Sequence, residues 1–353
     1  MTRHRSAASL TDTTREQRMD PEPEFRSYYG RPVLKPPVWE WMVPAYLFTG
    51  GLAAGSAVLA AGADLTGRPR LRRAGRLGSL VALSASGVLL VGDLGRPERF
   101  HHMLRVAKLT SPMSVGTWII TAFSPGAGVA AIDELVPRRF SRTLLGRLLH
   151  RLARPAGMSA ALVAPGLASY TAVLLSHTAV PAWKEAGEVL PFVFTGSAAA
   201  ASGGLGMMFT PVDEAAPARW FAICGATMEL TASRSMESRL GLIAEAYTTG
   251  RAHRLRRGSE LLTVAGLVGT LLGRRSRTVS GAAGLALAAG SALQRFGVFE
   301  AGVVSAKDPK YTVVPQRERL ERGLRASASV PGDEAVVGVD GDDPISRARP
   351  GGP

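Results

Sequence analysis

The chain has 353 residues, 46% of them hydrophobic and only 20% charged, yet its formal net charge is +14. The basic residues fall in short clusters (Arg68–Arg76, Arg138–Arg154, Arg251–Arg257, Arg274–Arg277) between apolar runs, and no basic stripe with interleaved aromatics occurs, which excludes nucleic acid as a partner. A single cysteine, Cys224, excludes an internal disulfide, a cysteine-ligated iron–sulfur cluster and haem attached through Cys-x-x-Cys-His.

The first 38 residues are polar and hold Pro21, Pro23, Pro32, Pro36 and Pro37. No apolar h-region follows Arg3 and Arg5, so the stretch is expected to be a tail and not a signal peptide. Uncharged runs then recur: Trp41–Ala63, Leu77–Gly92, Leu109–Ile132, Pro155–Trp183, Val189–Val212, Leu261–Gly273 and Thr278–Gln294. Several reach the ~20 residues that cross a ~30 Å hydrocarbon layer as helix. A water-soluble protein alternates polar and apolar faces and would not repeat such runs. The expected class is therefore all-α and polytopic, embedded in a lipid bilayer. Eight spans are expected, at about 41–63, 77–93, 113–133, 157–178, 189–210, 216–236, 259–273 and 279–299. Trp39 and Trp41 open the first as interfacial anchors. Residues 307–353, rich in Arg, Gly, Asp and Pro, are expected to be a soluble, disordered tail.

Within the first span, Gly51 and Gly55 form a Gly-x-x-x-Gly pair, a spacing that lets helices approach closely and that recurs at Gly284 and Ala288. Between the second and third spans lies Asp93-Leu94-Gly95-Arg96-Pro97, followed at once by Glu98-Arg99-Phe100-His101-His102. An ionisable cluster at the mouth of an apolar bundle is costly to desolvate, which makes it a functional candidate. Asp93 and Arg96 are expected to meet as an ion pair. Its structural alternative is an Asp that caps a helix end and orients a loop. On the sixth segment, Arg234 and Glu237 are spaced to pair at i,i+3. Glu229 is either a protonated carboxyl on a proton path or the point where the helix emerges into water. Emergence is favoured, because Arg239, Glu245 and Arg251 follow.

Three blocks occur in order: Tyr46-Leu-Phe-Thr-Gly-Gly-Leu-Ala-Ala-Gly55, Asp93-Leu-Gly-Arg-Pro97 and Ser111-Pro112-Met113-Ser114-x-Gly116-x-Trp118. A fourth, Tyr170-Thr171-x-Val-Leu-Leu-Ser176 with Pro181-Ala-Trp183, follows them. Together they resemble the NrfD / polysulfide reductase membrane-subunit family over about residues 40–210. The resemblance implies two four-helix bundles, 39–183 and 184–306. It also implies a menaquinone or ubiquinone site in the first bundle, with neither haem nor an iron–sulfur cluster in this chain. The partners it implies are an iron–sulfur, ferredoxin-like subunit and a molybdopterin catalytic subunit, so that this chain performs no substrate chemistry alone. Tyr46 and Tyr170 are then candidates to bind quinone, the alternatives being an interfacial anchor and a buried structural hydrogen bond respectively. His177 shares a helix face with Tyr170 and is either a proton relay or a solvated imidazole. Asp93 with Arg96 completes the implied quinone site, and Asp93, His101 and His102 would carry protons toward water.

Sidedness follows from charge. Loops 66–76 and 137–155 carry five and six Arg, whereas 93–112 and 179–188 carry four and one Lys or Arg. The positive-inside rule puts the first two in the cytoplasm, and the tails and Asp93 outside an inner, multi-pass membrane. Arg251–Arg257 opposes this assignment. The rival class is a secondary transporter or ion-translocating protein using the charges of the sixth segment, which favours broken helices at matching places in two halves. Only Pro165-Gly166 and Pro211 are candidate breaks.

Overall fold

The computed structural model describes residues 32–137 and 139–328. The rest of the two expected tails, 1–31 and 329–353, lies outside the described residues. Among the described residues all regular structure is helical. In sequence order the α-helices are α1 (Met42–Leu65), α2 (Pro69–Gly92), α3 (Pro112–Leu135), α4 (Leu144–Ser176), α5 (Pro181–Glu185) and α6 (Leu190–Phe209). They continue with α7 (Ala216–Arg239), α8 (Glu245–Thr248), α9 (Gly250–Leu272), α10 (Arg277–Lys307) and α11 (Lys310–Ala328). α11 is a helix where the composition led to the expectation of a disordered tail.

Local chemistry sets several starts. Proline, which needs no intrahelical N–H partner in the first turn, opens α2 and α3. The side chains of Ser111, Thr143 and Ser276 accept the N–H of Ser114, Gly146 and Val279, capping α3, α4 and α10. α2, α4 and α9 begin earlier than expected. Most of their basic residues thus lie in the opening turns of helices that overrun the apolar run, while Arg139 and Arg142 belong to the turn before α4. α4 continues through both Pro155 and Pro165.

Eight of these helices are 20 residues or longer, matching the expected spans in number and order. Six of them (α1, α2, α3, α4, α6 and α10) are long and apolar enough to cross a membrane. α7 and α9 fall short of that composition, so six of the eight expected spans qualify on length and apolarity alone. The reason is where their charges point. Glu229, Arg234 and Glu237 of α7 and Arg256, Arg257 and Glu260 of α9 line one polar cavity between these helices and α10.

The described residues up to Thr312 form one compact unit, and those from Val313 on belong to a second. In the first unit, sequence neighbours pack as antiparallel pairs: α1 with α2, α3 with α4, α6 with α7 and α9 with α10. α4 returns to α1, α10 lies on α6, and α1 against α6 joins the two sets. Gly51 and Gly55 sit at that junction. A Cβ at Gly51 would come within 3.3 Å of Ala198, and one at Gly55 within 2.8 Å of the Ala198 carbonyl. The Gly-x-x-x-Gly pair is therefore a packing face for α6. Gly284 and Gly204 play the same part where α10 crosses α6.

Candidate functional site

Three of the sequence candidates meet in one place. Tyr46, in the second turn of α1, and Tyr170, near the C-terminal end of α4, are both buried, with hydroxyls 2.5 Å apart. They line a cleft of about 630 Å³ between the ends of α1, α2, α3 and α4. Its walls are otherwise almost wholly apolar, built from residues such as Trp39, Met42, Leu90, Met103, Ile120 and Leu174. Asp93, half-buried at the C-cap of α2, supplies the carboxylate. A negative charge at a helix C-terminus opposes the helix dipole, so the stability of α2 does not account for Asp93.

The third sequence block holds this arrangement in place. Gly116 of α3 lies against the ring of Tyr170, and any Cβ there would overlap Cε2 and Cζ of that ring. The Ser114 hydroxyl donates to the Val106 carbonyl (2.9 Å) and accepts the Lys108 N–H (3.0 Å). Trp118 Nε1 donates to the same carbonyl at 3.3 Å. These bonds fix the loop that follows the 3-10 segment Pro97–Leu104, whose Met103 lines the cleft.

The remaining candidates are placed elsewhere. Arg96, His101 and His102 are exposed and do not line the cleft. The two imidazoles pack edge to face, 4.4 Å between centroids. Arg96 forms no ion pair among the described residues, so the expected pairing with Asp93 is not made. His177 is the exposed C-cap of α4, its Nδ1 2.9 Å from the Val173 carbonyl.

Sequence reasoning missed two features of this bundle. The first is the cleft's support. The Trp39 ring stacks on Trp183 of α5 at 5.8 Å, and Trp183 is fully buried, with Nε1 donating to the Val298 carbonyl at 2.8 Å. Gly302 leaves room for the Trp183 ring, so one wall of the cleft is anchored in α10. The second is an ion network at the opposite end of the same four helices. Arg76, 6% exposed, lies 3.1 Å from Glu134, 3.4 Å from Asp64 and 3.8 Å from Asp133. Arg72 joins Glu134 at 2.8 Å and Asp64 at 3.3 Å, and Arg154 reaches Asp64 at 3.6 Å. The available signal was the i,i+4 spacing of Arg72 and Arg76 in one span end, opposite Asp133-Glu134 in another.

The polar cavity between α7, α9 and α10, open to solvent, spans about 670 Å³. Here the sequence expectations are corrected twice. Arg234 pairs with Glu260 (3.4 Å) and Glu237 with Arg256, across helices instead of with each other. Glu229 does not emerge into water: it is 2% exposed, and neither carboxylate oxygen has a hydrogen-bond partner among the described residues. Arg295 of α10, fully buried, donates to the Phe194 carbonyl at 2.7 Å and lies over the Phe194 ring. As a lone charge inside an apolar span it was open to notice. Among the described residues no group of three or more His, Cys, Asp and Glu side chains is placed to hold a metal ion.

The class this defines is an all-α integral membrane protein. At one end of its first four long helices is an apolar cleft that holds two phenols and a carboxylate. Residues 33–212, about half of the chain and all the elements of the cleft, match the family described as polysulphide reductase, NrfD, and the protein belongs to that family. Over 152 residues it is 28% identical to the C subunit of polysulfide reductase from Wolinella succinogenes. That match covers 39% of this protein and 48% of the relative, so the sequence spans about half the length of the curated protein it matches.

Proposed function

We propose that this protein is the quinone-interacting membrane subunit of a multisubunit molybdopterin oxidoreductase, exchanging electrons with an iron–sulfur, ferredoxin-like partner. The observation that carries the reading is the hydrogen-bonded Tyr46–Tyr170 pair inside an apolar cleft lined by Asp93. The residues fit the head group of a menaquinone or ubiquinone. Each phenol has one O–H, and within the pair one hydroxyl donates to the other, which leaves one proton to donate outward to a carbonyl. Flat apolar walls from Leu90, Ile120 and Leu174 accommodate a ring and keep water out. A quinone bound there would supply two-electron, two-proton redox chemistry. Asp93 is the group that takes up or releases the two protons, one after the other. His101 and His102, exposed on the segment just after it, pass each proton to water.

The Wolinella relative is named as one lettered component of polysulfide reductase, which fits a complex of several subunits. An iron–sulfur subunit docked over the cleft end, with a molybdopterin subunit beyond it, is the assembly we infer. In sidedness, the ends of α1–α4 that carry the arginine-rich turns and the ion network are assigned to the cytoplasm of a bacterial inner membrane. The cleft is assigned to the outer face.

A second reading has an observation of its own. The polar cavity with buried Glu229 suits ion translocation, as part of the same complex or alone. The unbroken course of α4 through its prolines removes one of the two breaks that a transporter with interrupted helices would use.

Purifying the protein from its native membrane with whatever accompanies it, followed by lipid extraction and metal analysis, tests the assignment. Quinone together with iron and molybdenum is expected. A lone polypeptide without quinone that moves a solute across vesicles would overturn it.

A further inference from the structure

A groove of about 1330 Å³ runs along the lateral surface between α1, α2 and α6, away from both cavities described above. Leu77, Val81 and Ala85 of α2 form one wall, and Leu205 and Phe209 of α6 form the other. Arg70 and Arg73, in the first turns of α2, close one end. Arg73 is exposed and has no ion-pair partner among the described residues. Glu214, beside the groove, is already engaged: it accepts the Arg70 backbone N–H at 2.8 Å and lies 3.7 Å from the Arg70 guanidinium. Arg68 and Arg274 also come close enough to Arg219 to repel it.

We propose that this groove is a binding site for an anionic phospholipid, with the phosphate on Arg73 and Arg70 and one acyl chain along α2 and α6. From Arg73 to Ala85 the helix climbs roughly 18 Å at about 1.5 Å per residue. One leaflet of a ~30 Å hydrocarbon core is about 15 Å. The groove is therefore about as long as one leaflet with its head-group layer is deep, the length that a lipid held at its phosphate by Arg73 spans. A basic pocket between membrane helices is the arrangement that selects anionic head groups. A zwitterionic lipid brings an ammonium that the arginines repel, free phosphate leaves the apolar wall uncovered, and a quinone tail brings no anion.

The test uses the full-length protein in a neutral detergent. Phosphatidylglycerol, phosphatidylcholine or inorganic phosphate is added, binding is read by native mass spectrometry and stability by thermal unfolding. Phosphatidylglycerol is expected to bind and to raise the unfolding temperature, while the other two do neither. Arg73→Gln should weaken phosphatidylglycerol binding about fivefold, the worth of one basic side chain at a membrane surface. Ala85→Phe keeps both arginines but fills the groove, and should weaken it as well. Equal binding of the two lipids, or binding indifferent to Arg73→Gln, overturns the proposal. Loss on Ala85→Phe alone assigns the groove to a neutral tail, such as that of a quinone, and overturns it too. Should either variant fail to fold, as judged by helical circular dichroism, the comparison of lipids on the unaltered protein still decides.

Discussion

Helices α1 to α4 end differently at their two ends. At one end Asp64, Arg72, Arg76, Asp133, Glu134 and Arg154, drawn from all four, form a network in which each charge lies within ion-pair distance of an opposite one. At the other end the same helices part around an apolar cleft that holds two phenols and one carboxylate. Charges withdrawn from water are tolerable at the first end because each lies within reach of an opposite one. The second end is sparse in polar groups and leaves one phenol proton undirected. The comparison sets charge that holds helices together against a phenol pair that keeps one proton to donate.

The sharpest way to break that distinction is at Arg76. Arg76→Leu takes from Asp64 and Glu134, both largely buried, the more deeply buried of the two arginines they share, and leaves Arg72 as the one cation common to both. Removing one member of such a buried set costs about 3–5 kcal/mol. The expected outcome is a large drop in thermal stability in detergent. A loss under about 1 kcal/mol would mean that the network behaves as a solvent-screened surface feature.

Asp93→Asn probes the opposite end and should give the reverse pattern. The amide keeps the size and much of the hydrogen-bonding capacity of the carboxylate, so the fall in stability should be much smaller than for Arg76→Leu. Turnover linked to quinone should fall about a hundredfold, the low end of what a positioned acid or base contributes. A variant that loses stability but keeps its turnover would move Asp93 into the structural class with Arg76.

What the sequence showed of this contrast depended on the kind of signal. Apolar runs gave the order and approximate place of all eight long helices, because hydropathy is summed over twenty residues and tolerates errors at the ends. The tyrosines and Asp93 were singled out through their motifs, and they do share a cleft. The ionic network was missed because its members lie far apart in the sequence, and their arginines were read as loop charge. The Asp93–His102 stretch, by contrast, looked like a cluster because it is contiguous, yet folding exposes Arg96, His101 and His102 and draws only Asp93 and Met103 into the cleft lining. Contiguity in sequence overstated one cluster and hid the other. The burial of Glu229 was misjudged for the same reason: its surroundings come from α6, α9 and α10, not from the charges that follow it on its own helix.

Within the cleft, Gly116→Ala tests whether the third sequence block serves Tyr170. The added methyl must displace the phenol ring or part α3 from α4, an overpacking that costs about 1–3 kcal/mol. Quinone-dependent turnover should fall along with stability, whereas Gly87→Ala, with nothing within 4 Å of the added Cβ, should change neither.

The smallest expected effect is the most informative about the phenols. One hydrogen bond is worth roughly 0.5–1.5 kcal/mol, up to about tenfold in apparent quinone affinity. If Tyr46 donates to Tyr170, the Tyr170 proton is the one presented to the ligand. Tyr170→Phe then removes both the internal bond and the contact with quinone, while Tyr46→Phe removes the internal bond alone. Ring volume is kept in both, so assembly and stability should be nearly unchanged. Apparent KM for quinone measured on the two variants therefore reads out the direction of the pair. A larger rise for Tyr170→Phe assigns the outward proton to Tyr170, and a larger rise for Tyr46→Phe assigns it to Tyr46. No change in either would place the pair with the ion network, as a tie between α1 and α4 that never meets a ligand.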